Sequence, residues 1–384
     1  MSRPRLALAT LGVLALLVGA PTVSGQQVLV GSGVDYQGYT FDDGLGAEAA
    51  QLLMVPLAVR VPVGERLTFD LFSAYADGKV EQGGNTFSLS GPVDTSLKAS
   101  YQATPWARLG VSVSIPTGDG AHDGDEALVA SVLSTDLLGF RESTWGTGLA
   151  VTSSVGVARQ MGAFGVGIAA AYAVRGEFEP SEGDDLTYQP GNEARIRVGL
   201  DRNFDNSTLT LGATFINYQE DRVSDDFAAD RNLFQAGNRM RFDASYAFRA
   251  GAGVWTLYVA DLYRQNGDLR VDIVDETNTP VDSSFVQTAS QNLIMGGFIG
   301  TVALGGGFVF RPHVDYKFQT REEPDGNDAG SGWILAAGGD IPIRLLGTDF
   351  FPKARVYFGS IRSLGGEDVG LLGMEFRGTF RVGF

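Results

Sequence analysis

Long runs in which apolar and polar residues alternate one by one leave this chain little choice of fold. Between 194 and 204, Ala194, Ile196, Val198 and Leu200 hold the even positions, while Arg195, Arg197, Gly199, Asp201 and Asn203 hold the odd ones. Met240, Phe242, Ala244, Tyr246 and Phe248 likewise alternate with Arg239, Arg241, Asp243, Ser245 and Arg249. Phe308, Phe310, Val314, Tyr316 and Phe318 oppose Arg311, His313, Asp315, Lys317 and Gln319. Near the end, Leu372, Met374, Phe376, Phe380, Val382 and Phe384 oppose Glu375, Arg377, Thr379 and Arg381. Period two is the signature of a strand with one apolar and one polar face. Strands of soluble sandwiches average about five or six residues, whereas these runs reach about ten, the length a tilted strand needs to cross a bilayer. So many amphipathic strands would aggregate through their edges unless the sheet closed on itself. The expectation is an all-β, closed, antiparallel up-and-down transmembrane barrel. Mean hydropathy is near zero although 44% of residues are hydrophobic, as alternation requires.

The same pattern places strands near 28–41, 51–63, 66–77, 94–103, 106–116, 146–159, 163–176, 193–204, 207–219, 237–249, 253–265, 287–302, 306–320, 332–344, 351–362 and 369–384. That is about sixteen strands; fourteen stays open because 28–41 and 253–265 are ambiguous in phase. Connections alternate in length. Gly64-Glu65, Gln160-Met161-Gly162, Asp205-Asn206, Ala250-Gly251-Ala252 and Leu304-Gly305 are short, whereas 78–93, 117–145, 177–192, 220–236, 266–286 and 321–331 are long. Short turns are expected to face the periplasm and long loops the cell exterior, with both termini periplasmic. Pro56, Pro312 and Pro342 remove ladder donors inside strands, either as local bulges or as a lateral gate. One long loop carries a helix signal over 124–138: Asp123-Gly124-Asp125 starts it, Gly139 stops it, and Ala127, Leu128, Val132, Leu133 and Leu137 form an apolar stripe. This helix either folds inward as a constriction or caps the rim.

The first 25 residues read as a secretory signal peptide, with Arg3 and Arg5, the apolar run Leu6 to Ala20, and small residues Val23-Ser24-Gly25 before Gln26. The barrel then occupies 26–384, and its first strand begins too early for a plug domain. The chain has no cysteine, which excludes lipoprotein anchoring, disulfides and thiolate metal sites. A net charge of −16 argues against nucleic acid as a partner. No later run of about 18 apolar residues suggests a spanning helix.

Charge is the most informative functional feature. Arg60, Arg108, Arg195, Arg197, Arg239, Arg241, Arg311, Lys317, Lys353, Arg355 and Arg377 fall at lumen parity and are the pore-lining candidates. Acids gather in the long loops, at Asp123, Asp125 and Glu126, Glu182, Asp184 and Asp185, Asp225, Asp226 and Asp230, and Glu322, Glu323 and Asp325. A ring of bases in a pore favours anions. The bases equally suit a ladder of structural ion pairs with Asp201, Asp243, Asp315, Asp340 and Glu375, and both readings stay open. The acidic loops are either solvated or hold divalent cations between lipopolysaccharide molecules. Aromatic residues are expected at two interfacial girdles, with Phe164, Phe204, Phe248, Phe351, Trp255 and Phe384 at the periplasmic rim and Trp145, Trp333, Tyr218 and Phe318 at the outer rim. Catalysis has little support: His313 and Asp315 share a face, but no serine nucleophile is evident in a matching context. His122 with Asp123 and Asp125 offers metal ligands, in a flexible and nonspecific cluster, and no cofactor is called for.

The terminal Phe380-Arg381-Val382-Gly383-Phe384 resembles the last-strand signature of bacterial outer-membrane barrels, which implies recognition of Phe384 by the barrel assembly machinery. Essentially the whole chain after the leader looks like a porin- or transporter-type barrel of the Gram-negative outer membrane. Ser114-Ile115-Pro116-Thr117-Gly118-Asp119 and Trp145-Gly146-Thr147-Gly148 are similar to strand-end motifs of the long-chain fatty-acid transporter superfamily and its aromatic-catabolism relatives. That resemblance implies uptake of hydrophobic compounds through a lateral opening. Resemblance to general porins implies an inward loop and a homotrimer. The leading expectation is a channel for passive passage of small hydrophilic solutes, with anions a candidate class. A hydrophobic-compound transporter and a non-transporting surface or structural barrel stand as alternatives.

Overall fold

The computed structural model describes residues 27–142, 144–182, 186–225, 230–251, 253–274, 280–306, 308–345, 348–362 and 366–384; the leader read at 1–25 lies outside them. Sixteen antiparallel strands close into one barrel. They are β1 (Leu29–Phe41), β2 (Ala49–Val63), β3 (Leu67–Gln82), β4 (Asn85–Pro92 continued by Thr95–Thr104), β5 (Ala107–Ile115), β6 (Ala150–Met161), β7 (Phe164–Arg175) and β8 (Glu193–Asn203). The second half is β9 (Ser207–Tyr218), β10 (Arg239–Ala250), β11 (Gly253–Arg264), β12 (Ser290–Gly305), β13 (Phe308–Glu322), β14 (Asp328–Asp340), β15 (Thr348–Arg362) and β16 (Asp368–Gly383). Each strand pairs with its sequence neighbours. The ring closes where β16 pairs with β1, from Leu29 opposite Gly383 to Phe41 opposite Leu371. Closure satisfies every edge, the condition for a sheet in lipid. Connections alternate as the sequence indicates, giving a short-turn end and a long-loop end. At the long-loop end, Leu186–Gln189 pairs with Arg222–Asp225, and Asp230–Gln235, Asp268–Val274 and Pro280–Gln287 build a three-stranded extension.

The outer face is greasy. Val55, Val111, Val155, Ile168, Val198, Phe242, Val259, Ile294, Val356 and Met374 all expose large apolar side chains there. β11 settles its ambiguous phase with Leu257 and Val259 outward, while Ala260 and Leu262 point in. Three girdle expectations fail. Trp145 is buried at 1% exposure inside the barrel and donates its indole N–H to the Ala76 carbonyl at 3.3 Å. Tyr218 lies under the Arg239 guanidinium, and Phe351 lies between Arg311 and Arg381, so both rings face the lumen. Cation–π contact places each of them with inward arginines rather than with lipid.

The interior is unequal. On β2, Ala50, Leu52 and Met54 point inward and are buried, although Leu53 and Val55 on the other face are exposed to the outside. Apolar side chains thus line both faces of this strand. Their inward partners come from the loop between β5 and β6, which folds into the barrel. Its helix α1 (Gly124–Leu133) packs against β2, β3 and β4 with Val129 and Leu133 buried. Asp123 caps α1 by accepting from the Asp125 and Glu126 amides at 2.9 Å, and Glu126 returns the bond to the Asp123 amide, a capping box. The helix stops at Leu133, five residues before the expected end. The Ser131 and Ser134 hydroxyls donate to the Leu128 and Ser131 carbonyls, competing with the helical ladder, and the chain turns before Gly139.

The prolines mark local interruptions. The β1–β2 pairing skips the stretch facing Val55-Pro56, where the Ser32 hydroxyl donates to the Pro56 carbonyl at 2.8 Å. The β12–β13 ladder skips Arg311-Pro312, and β14 ends at Asp340, just before Pro342. Pro56 and Pro312 keep register with β3 and β14 on their other sides.

Candidate functional site

The inward loop is fastened at both ends. At its neck, the Asp94 carboxylate accepts from the Gly118 amide at 3.1 Å and the Thr147 amide at 2.9 Å. A side chain at Gly118 would collide with the Trp145 carbonyl, and one at Gly146 would sit 2.8 Å from the Asp119 and Gly120 backbone. The repeated glycine motif of 114–119 and 145–148 is therefore the geometry of a closed neck. Thr117 completes it, donating its hydroxyl to the Val93 carbonyl at 2.9 Å.

At the far end, 136–141 meets the opposite wall. Asp136 accepts from the Gln291 amide at 2.7 Å, Lys317 donates to the Leu137 carbonyl at 3.2 Å, and Leu138 accepts from Tyr39 at 2.8 Å and Gln37 at 3.1 Å. Arg141 pairs with Asp35 at 2.7 Å. Around these polar fastenings Leu137, Leu138, Phe140, Tyr39, Ile334, Ala336 and Tyr357 form a dry seam. Burial of that apolar surface is worth about 25 cal/mol per Å², so the seam as well as the bonds holds the loop across the lumen.

Below the loop tip lies a cavity of about 540 Å³. Arg141, Arg241, Lys317, Lys353, Arg355 and Arg377 line it, with Asp315 and Glu375 as the carboxylates. The opposite side of the lumen is spacious, because β6 and β7 turn Gly156, Ala158, Gly165, Gly167, Ala169, Ala171 and Ala173 inward. Arg108 and Arg197 project over a recess of about 400 Å³ on that side.

All eleven bases singled out from the sequence fall on the inward face, but they are not one ring. Most share carboxylates. Asp243 takes Arg197 at 2.9 Å and Arg241 at 3.5 Å. Glu193 takes Arg195 and, at 3.0 Å, Arg175. Glu375, 4% exposed, takes Lys353 at 2.8 Å and Arg377 at 3.1 Å, with Arg355 at 3.9 Å. Asp340 bridges Arg311 and His313, Arg355 reaches Asp315 at 2.8 Å, and Arg60 faces Asp70 at 2.6 Å. Lys317 holds the loop, Arg239 covers Tyr218, and Arg108 stands over the recess. Asp201, expected in the ladder, has no ion pair among the described residues. Asp35, Asp136, Arg141, Tyr357, Arg264 and Arg321 were missed by the sequence reading. Arg264 holds an inward position within the expected strand 253–265, and Arg321 continues the inward parity of its strand by one step into the expected loop 321–331, which is the signal that finds them.

No family model matches the chain, and no curated protein matches it. Among solved structures, the fold is similar to outer-membrane expressed OmpT of Vibrio cholerae, at 12% identity and TM-score 0.41 over 95% of this chain and 99% of that one. It is also similar to OccK1 (OpdK) of Pseudomonas aeruginosa, at 8% identity and TM-score 0.46 over 93% and 99%. A mutant Rh. blastica porin aligns at 12% identity and TM-score 0.36 over 91% and 99%. The closed sixteen-strand wall, with its apolar outer belt and charged interior, is the architecture of a transmembrane β-barrel.

Proposed function

We propose that this chain is an outer-membrane channel for passive passage of small hydrophilic solutes, with anions favoured. In this reading loop residues 136–141 set its narrowest cross-section. The observation that carries the reading is the sharing of carboxylates: Asp35, Glu193, Asp243 and Glu375 each serve two or more cations. Ion pairing and anion preference are then one arrangement. Each shared carboxylate fixes its cations in place and leaves positive charge over, facing water in a confined lumen where fields are focused. Lipids around the apolar belt, lipopolysaccharide beside the acidic loops and a trimer of this chain are the partners proposed with it.

Planar-bilayer recording tests the proposal. The purified barrel is expected to give steady open currents and, in a KCl gradient, a reversal potential on the chloride side. Replacing Arg239 and Arg241 together by Glu should move that potential toward potassium. A silent protein, or a selectivity that charge reversal leaves unchanged, would count against the reading.

A further inference from the structure

Strand registers place four arginines in a single row across the lumen wall. Arg195 faces Ile216, Ile216 faces Arg239, Arg239 faces Arg264, Arg264 faces Gln291 and Gln291 faces Arg321. The row crosses six strands, β8 to β13, at the long-loop end, and contains no carboxylate. Arg195 shares Glu193 with Arg175, the carboxylate accepting from the Arg195 Nε at 3.1 Å. Arg239, Arg264 and Arg321 have no ion pair among the described residues. Arg239 lies over the Tyr218 ring, 5.6 Å from its centroid, and Arg264 donates to the Gln291 side-chain oxygen at 3.0 Å. Asp136 of the inward loop approaches the row, but it accepts from the Gln291 amide at 2.7 Å rather than from a guanidinium.

Directly opposed side chains on neighbouring strands have Cβ atoms about 4.5–5.5 Å apart, and like charges so placed repel. Arg239 and Arg264 are such a pair. Both side chains are held, one by a ring face and one by an amide, so neither contact discharges them. Each guanidinium presents a planar fork suited to two oxygens of one anion. From this juxtaposition we propose that Arg239 and Arg264 form a capture site for a compact dianionic oxyanion, with Arg321 and Arg195 flanking it. The site rests on the channel reading and adds a ligand class to it. It stands one step nearer the long-loop mouth than the row of Arg197 and Arg241, which faces Thr214 and Leu262. A solute held there is handed next to those two arginines and then to the cavity beneath the loop. The chemistry fits inorganic phosphate, the phosphoryl group of a monoester, or a short dicarboxylate.

The test uses the full barrel with inorganic phosphate and succinate as separate probes at mildly alkaline pH, added on the long-loop side during bilayer recording in KCl. Isothermal titration of the detergent-solubilised barrel with the same probes runs in parallel, so that binding is read without conduction. Saturable current reduction and binding heat are expected for at least one dianion. The half-saturating concentration should rise at least tenfold in the Arg239→Gln/Arg264→Gln variant. Response to phosphate alone assigns a tetrahedral oxyanion; response to both assigns any compact dianion. Titration heat without channel current supports the site while removing the channel reading. Chloride conduction with no saturable response to either probe, or a response equal in the variant, overturns the site and leaves the channel standing. Heat-modifiable gel mobility verifies that the variant is folded.

Discussion

Asp35 is the residue that ties the inward loop to two wall strands. It is 6% exposed, accepts from Arg141 of the loop at 2.7 Å and is ion-paired with Arg377 of β16 at 2.9 Å, and so joins loop, β1 and β16 at one carboxylate. Removing one partner of a fully buried pair costs about 3–5 kcal/mol. Arg141 is 42% exposed and solvent screens part of that, so Asp35→Ala is expected to destabilise the barrel by about 2 kcal/mol. Its more specific effect should be on the pore: with Arg141 unfastened, single-channel current grows and becomes noisier than in wild type. Current traces of unchanged amplitude and noise would show that Arg141 does not depend on Asp35. Tyr188, in the loop sheet outside the membrane wall, makes a pH prediction. Burial, and then its bond to Asp221, pushes its phenol well above the ordinary range. A folded-state value that is raised keeps its stabilisation below the unfolded value of about 10 and loses it as pH climbs beyond. Limited proteolysis should therefore leave 186–189 and 222–225 protected at neutral pH and begin cutting them above about pH 10, with the barrel intact.

At the level of elements, the inward loop is a small dry core built inside a membrane barrel. Trp145 fills its base against Ala76 and Gly78; an added Cβ at Gly78 would stand 2.6 Å from Leu133 and 2.9 Å from the Trp145 ring. Trp145→Ala should cost about 3–5 kcal/mol, measured as a lowered urea midpoint. Gly78→Leu should instead push α1 off the wall, raising conductance more than it lowers stability. A Gly78→Leu channel that conducts like wild type would mean that α1 tolerates displacement without opening the lumen. The same packing explains what could be read in advance. Strands facing water, such as β8, β10 and β16, carry strict alternation, so their faces were legible residue by residue. β2 carries Leu52-Leu53-Met54-Val55 because it meets lipid on one face and α1 on the other, and its inward side reads as merely apolar. Trp145, Tyr218 and Phe351 were misassigned for a related reason: a ring near a strand end fits either an interface or the lumen, and only an inward partner decides.

The whole molecule separates its charges. The chain carries −16, yet the acids concentrate in the long loops while the lumen wall is rich in arginine. Parity revealed the inward bases from sequence and offered Asp243, Asp315, Asp340 and Glu375 as partners; which base meets which carboxylate could not be read where the contact crosses between strands, because that register is set only when the barrel closes. Glu375 meets Lys353 over a sequence separation of 22, and Arg141 reaches Asp35 over one of 106. Selectivity should consequently respond to ionic strength. Raising KCl from about 0.01 M to 1 M shortens the screening length from ~30 Å to ~3 Å, so the proposed chloride preference should shrink steadily over that range. A preference independent of salt would point to size or local binding rather than to the summed field.

The neck clasp at Asp94 and the far attachments at Asp35, Gln37, Tyr39, Gln291 and Lys317 make the loop a beam supported at two points across a hoop. A hoop braced in this way resists flattening along the beam. Its bore can also be reshaped by editing the beam alone, since none of the sixteen staves would need to change register. Aperture and wall are in that sense independent parts, and a lineage could retune what passes without rebuilding what encloses it.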